Sequence, residues 1–183
     1  MPKKKYVMAS LLALPLAAAL TGCDVGELMQ DKADKSTTRN AATSEQAVKD
    51  GILPGWVPSG GSNVQLVQRN TGSERIFVMD YAGKLPGKSC TPVKTPGKPS
   101  GKELAAAYAT DERVKRMDPE EISATRTLEA DWWPDEAQSR TTDLCGRFWV
   151  HQSDGKLYAF APDAVATVEK IQQERQQESA ASN

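Results

Sequence analysis

The sequence predicts an α+β domain with a mostly antiparallel sheet of about five strands, two or three short helices and one disulfide. Three observations lead there. Pairs of segments alternate apolar and polar residues on either side of turn-forming residues, which is the pattern of β-hairpins. Two helix-start signals lie between those pairs. Two cysteines, Cys90 and Cys145, remain for a domain that carries an export signal.

Val64, Leu66 and Gln68 alternate with Gln65, Val67 and Arg69. Asn70-Thr71-Gly72-Ser73 then supplies a turn, and Glu74 to Tyr81 resumes the alternation through Ile76, Phe77, Val78 and Met79. Ser100 with Glu103 three residues later forms a capping box ahead of Leu104-Ala105-Ala106-Ala107-Tyr108. Asp118-Pro119-Glu120-Glu121 repeats the start signal, with proline at the first helical position. Ala124 to Trp133 alternates again until Pro134 ends it, and predicts a further strand. A last hairpin joins Cys145–His151 to Lys156–Ala161 across Ser153-Asp154-Gly155. Such strands and short helices form an α+β layer packing.

The N-terminus sets the address. Lys3, Lys4 and Lys5 precede an apolar stretch from Val7 to Leu20, long enough for the hydrophobic region of a signal peptide and short for a membrane span. Leu20-Thr21-Gly22-Cys23 follows. This tetrapeptide resembles the lipobox of bacterial lipoproteins, and the resemblance implies diacylglyceryl transfer to the Cys23 thiol, cleavage after Gly22 and a palmitate-bearing N-terminus. The expected organisation is a signal peptide over residues 1–22 and a lipid-anchored flexible tether over 23–50. A single α+β domain follows over 51–171, then a disordered tail over 172–183. Between Met29 and Asp50 large apolar side chains are almost absent, so the segment has little to bury against its ordering entropy. As a flexible chain of about 27 residues it would reach roughly 30 Å. Val165, Val168 and Ile171 predict a short amphipathic helix that frays into the tail.

Composition limits the function. The 183 residues carry 23 basic and 24 acidic side chains, where a dedicated nucleic-acid binder is usually strongly basic. Mean hydropathy is -0.53. One histidine and three cysteines cannot build a repeated CxxC or Cys/His zinc site. Gly83-Lys84-Leu85-Pro86-Gly87-Lys88-Ser89 approaches a phosphate loop but is too short between its glycines and lacks the strand-to-helix context.

Export and an even count point to a Cys90–Cys145 disulfide. The loop it closes gives a chain-entropy stabilisation of roughly 4 kcal/mol. A redox-active pair would need thiols brought together locally, as in CxxC, and these are far apart in sequence.

Two surface features carry the binding reading. Residues 83–102 hold Lys84, Lys88, Lys94, Lys98 and Lys102, no acid and four prolines, while Glu103 to Asp143 holds eleven acidic against five basic side chains. The basic strip suits anionic lipid or cell-wall polymer; the competing reading is a solvated loop pinned at Cys90 or lying on its acidic neighbour. Trp132-Trp133-Pro134 is the second feature. Neighbours on a strand point to opposite faces, so one indole, assigned to Trp133 beside Asp131, is expected at the surface, where it would stack on a sugar or a protein partner. The competing reading packs both indoles. His151, beside Ser153 and Asp154 on one tight turn, does not suit a triad. A carboxylate pair for glycoside hydrolysis could be drawn from Asp80, Asp131 and Asp135.

Beyond the lipobox, the order LPGWVP, a TGxxRI hairpin, WWP, then a Cys with GxxYAF resembles uncharacterised lipoproteins of high-GC Gram-positive bacteria over most of residues 53–161. That resemblance implies a fold and a membrane address. The expected protein is therefore lipid-anchored on the outer side of the cell membrane and serves as a non-catalytic binding or interaction module without a cofactor. Its partners are the membrane through Cys23 and a cell-wall polymer or envelope protein. The alternative is a small envelope hydrolase using paired carboxylates.

Overall fold

The computed structural model describes residues 32–182. The expected signal peptide, the lipobox-like Leu20–Cys23 and the start of the expected tether lie outside the described residues. The strands are β1 (Ser36–Thr43), β2 (Ser62–Arg69), β3 (Arg75–Asp80), β4 (Cys90–Pro92), β5 (Asp143–Cys145), β6 (Phe148–Ser153) and β7 (Lys156–Ala161). The α-helices are α1 (Ser44–Lys49), α2 (Gly101–Tyr108) and α3 (Val165–Ala181), with single 3-10 turns at Pro119–Glu121 and Gln138–Arg140. Among the described residues seven strands pair antiparallel in one sheet of order β1-β2-β3-β7-β6-β5-β4.

Alternation divides the sheet's side chains between two apolar layers. On one face Ile76, Val78, Trp149, Tyr158 and Phe160 pack beneath Tyr108 of α2 and the irregular 124–137 segment, through Leu128 and Trp133. On the other, Leu66, Phe77, Met79, Val150 and Leu157 pack beneath Ala47 of α1 and Leu53 and Val57 of the segment after it. Because both faces are covered, β3 and β7 are buried almost along their length. Each fully enclosed Phe or Leu side chain contributes about 1.5–3 kcal/mol.

Both hairpins form as expected, and Asp154 and Gly155 turn the second in the left-handed region, with φ of 53° and 74°. The Ser100–Glu103 capping box starts α2. Cys90 and Cys145 are disulfide-bonded.

Five expectations are corrected. The tether boundary moves, because residues 36–49 form β1 and α1. β1 buries little; it is an edge strand held by its backbone ladder, Ser36 opposite Arg69 through Thr43 opposite Ser62, so apolar content did not signal it. Thr43 caps α1 by accepting from the Gln46 N–H. The tail is helical to Ala181, because α3 is held by polar contacts: the Ala33 and Asp34 amides donate to Glu174 at 2.9 and 3.1 Å, and Arg175 pairs with Asp34. The expected strand at Ala124–Trp133 is absent, since Glu74 takes its amides. Fully buried, this carboxylate accepts from the Thr127 and Leu128 N–H at 2.6 and 2.9 Å and from the Thr127 hydroxyl. The expected Asp118 helix is a single 3-10 turn. Seven strands thus replace about five: β1 and three-residue β4 are additional, and the Cys145–His151 run breaks at Gly146-Arg147 into β5 and β6.

Candidate ligand pocket at the β4–β5 edge

A pocket of about 820 Å³ lies where the β4–β5 edge meets the segment after α1, α2 and the turn that follows α2. That volume falls in the range of roughly 300–1,000 Å³ typical of small-molecule sites.

The pocket's apolar wall begins with LPGWVP. Ile52 and Leu53 donate their amides to the Ala47 carbonyl at 2.8 and 3.0 Å, closing α1, and Val57 N–H turns back to Pro54 at 3.1 Å. Trp56 is thereby laid over the sheet, with its ring 5.6 Å from Phe148 and 6.0 Å from Phe77. Its indole N–H is buried and donates to nothing among the described residues. Leu53, Pro54, Leu144 and Phe148 complete this side.

Cations dominate the rest: Arg75, Lys88, Lys94, Lys102, Arg113 and Arg147 line the pocket, against Glu103, Asp111 and Glu112. Arg147 follows Gly146 in the β5–β6 turn and is 1% exposed. Its Nη1 donates to the carbonyls of Ser73 at 2.7 Å and Pro162 at 3.3 Å, and its guanidinium lies 5.2 Å above the Phe148 ring. Nε faces Asp111 Oδ2 at 3.6 Å without a hydrogen bond. Burial pushes the Arg147 guanidinium down to about 10; Asp111 opposes that shift, and Arg75 and Arg113 add to it by repulsion. Arg75 is lowered in the same way, by burial first and then by Arg113 and Arg39. Three arginines therefore crowd one end of the pocket, where Asp111 lines the wall and Asp163, outside the lining, also acts on Arg147.

The other two acids are engaged elsewhere. Glu103 Oε1 accepts from the Lys94 N–H at 2.8 Å, and Oε2 from the Ser100 N–H and hydroxyl at 2.7 and 2.6 Å. The Ser100 hydrogen bonds, followed by that of Lys94, hold this carboxyl at about 2. The capping box of α2 is thus also a clasp for the basic loop. The Val93 and Gly97 N–H groups pin the loop further, donating to Thr142 and Thr141 at 2.9 and 2.8 Å. Gly97 has φ of 71°, and a Cβ there would run into the Ser139 carbonyl. Glu112 pairs with Lys115 at 2.7 Å.

Among the residues singled out in the sequence, Lys88 and Lys94 line this pocket and Lys84 does not. Cys90 and Cys145 brace its edge from β4 and β5. The Trp133 expectation is corrected: Trp133 is 6% exposed and packs edge-on to Tyr158 at 5.9 Å, while Trp132 is the indole left partly open. The strand argument fails because this stretch is a turn, with Trp133 N–H bonded to Ala130 at 2.9 Å. Asp131 is exposed beside it and lines no part of the pocket. Asp80 is committed to Lys156 and Asn63, both at 2.6 Å, and does not join Asp131 or Asp135 in any contact. His151 is buried and stacked on Tyr158 at 4.9 Å. Among the described residues no group of three or more His, Cys, Asp or Glu side chains is placed to hold a metal, and no helix is long and apolar enough to cross a membrane.

Trp56, Arg75, Arg113 and Arg147 were not legible as site residues. The Pro-Gly-Trp-Val-Pro run marks an extended segment but not what lies under it, and three arginines spread over 73 positions converge only through the fold.

Compared with protein-family profiles, curated proteins and solved structures, the chain matches none of them.

Proposed function

We propose that this chain is a lipid-anchored, extracytoplasmic, non-catalytic binding module of the cell envelope, and that its ligand occupies the pocket at the β4–β5 edge. The observation that carries the reading is the pocket itself: about 820 Å³, with an apolar wall around Trp56 and a wall richer in cations than in acids. The lipobox resemblance supplies the address. Three of the basic strip's five lysines, Lys88, Lys94 and Lys102, serve as pocket cations rather than as a free-standing patch.

Binding is favoured over hydrolysis by what the pocket's carboxylates are doing. Asp111 faces Arg147, Glu103 clasps Ser100 and Lys94, and Glu112 is tied to Lys115. A hydrolase of the paired-carboxylate type needs one acid held protonated, and so a raised pKa; Glu103 is shifted the other way.

The test uses the full chain extracted from its own membranes. Native mass spectrometry should find a small molecule retained by the wild type and lost from Ala106→Trp, which places a bulky ring in the pocket from the exposed side of α2. A retained molecule that is indifferent to this substitution would remove the pocket from the function.

A further inference from the structure

The pocket's two walls are chemically unlike and physically continuous. Arg147 lies over one side of Phe148, and Trp56 packs against the same ring at 5.6 Å. A molecule spanning that ring meets guanidinium groups at one end and an aromatic and aliphatic surface at the other. We propose that the pocket takes an amphipathic oxyanion, a single-chain molecule with a phosphate or carboxylate head. The head would sit among Arg75, Arg113 and Arg147, and the apolar part along Leu53, Trp56 and Phe148. This inference rests on the binding reading above and names its ligand class.

Three observations support the head position. First, Arg147 is nine-tenths buried or more, yet its Nε makes no hydrogen bond among the described residues, the nearest carboxylate, Asp111, standing 3.6 Å away. A buried donor left unmade costs about 1–3 kcal/mol, more when charged, and an oxyanion would satisfy it. Second, Arg75, Lys88, Lys94, Lys102 and Arg113 line the same pocket without an ion pair among the described residues. Third, guanidinium groups match the oxygens of phosphate and carboxylate bidentately, so an arginine cluster is selective for planar or tetrahedral oxyanions over halide. The aromatic wall adds what a free anion cannot use. Trp56 and Phe148 bury apolar area, and the unpartnered indole N–H gives that wall one polar handle for an ester or ether oxygen near the head.

The full chain in phosphatidylcholine nanodiscs would be titrated with octyl phosphate, octanoate, octanol and inorganic phosphate, followed by calorimetry. Octyl phosphate or octanoate should bind at least tenfold more tightly than octanol and than inorganic phosphate, and should weaken as salt rises. Arg113→Gln and Arg75→Gln should each weaken the anionic amphiphiles about tenfold and leave octanol unchanged; both side chains reach solvent, so neither change removes a core residue. Adding phosphatidic acid to the discs separates the sources: competition places the head in the bilayer, and its absence indicates a free amphiphile.

Octanol binding as tightly as octyl phosphate, insensitive to both arginine changes but blocked by Ala106→Trp, overturns the oxyanion and leaves the pocket reading standing. Inorganic phosphate binding as tightly as octyl phosphate overturns the amphipathic half. Probes whose binding is unaffected by Ala106→Trp and by the arginine substitutions overturn both readings.

Discussion

Cys90 and Cys145 face each other directly across the β4–β5 pair, their Cα atoms 4.1 Å apart. Only three residues of β4 are paired, and they form one of the sheet's two edges, so the bond holds in place a strand too short to hold itself. Ser89 and Thr91, on either side of Cys90, line the pocket, as do Leu144 and Gly146 beside Cys145. Cys90→Ser and Cys145→Ser should each lower stability by about 2–5 kcal/mol, and by similar amounts, because each removes the same crosslink. Urea denaturation measures it. Two thiols reactive in the unreduced native protein would show that the bond is not there.

Trp133 is a core residue, and the expected effect of removing it changes accordingly. Packed against Tyr158 and Trp132 in the layer over the sheet, it should lose about 3–5 kcal/mol as Trp133→Ala. Trp132→Ala, at a partly open position, should cost markedly less. Denaturation of the pair checks this, and equal small losses would contradict the packing.

The strand pairs were legible where alternation met a tight turn, as at Val64–Tyr81 and Cys145–Ala161, and α2 was legible from Ser100 and Glu103. These signals are local, and so is the physics behind them. β1 was not, because Ser36-Thr37-Thr38-Arg39-Asn40 buries nothing and is ordered by ladder bonds to a strand some thirty residues on. The Ala124–Trp133 alternation misled for the converse reason: Glu74, over fifty residues away, takes the amides a neighbouring strand would have used. The site followed the same division. Lys88 and Lys94 stood out as a charge run, whereas Arg147 looks like any turn arginine until the fold buries it.

His151 should make stability sensitive to mild acid. Burial, with a smaller push from Arg140, drops its pKa from the usual 6.5 to about 4. The unfolded chain therefore takes up the proton first, so this contribution is complete above about pH 6.5, falls as pH drops and levels off below about 4. The loss across that window should be at most about 3 kcal/mol. His151→Phe keeps a ring against Tyr158 and removes the titration, so the stability difference between wild type and variant should change between pH 7 and pH 4.5. A difference independent of pH would show that His151 titrates alike in both states.

Asp34 ties the start of the described chain to the domain. It pairs with the fully buried side chain of Arg69 and, at 2.6 Å, with Arg175 of α3. Burial alone would raise its pKa, but hydrogen bonds from Arg175 and Arg69 outweigh that and hold it low. If Cys23 carries the lipid, only eleven steps separate the anchor from Asp34, a contour of at most about 40 Å, against about 95 Å for a 27-residue tether. The domain should therefore stay close to the bilayer. Energy transfer from a donor on Gln173→Cys to headgroup acceptors in vesicles should be efficient for the lipidated full chain. Asp34→Ala combined with Arg175→Ala should reduce it by releasing the tie. Cys23→Ala should take up no labelled palmitate; uptake by that variant would refute the anchor, and a donor found beyond the contour limit in the wild type would refute the short tether.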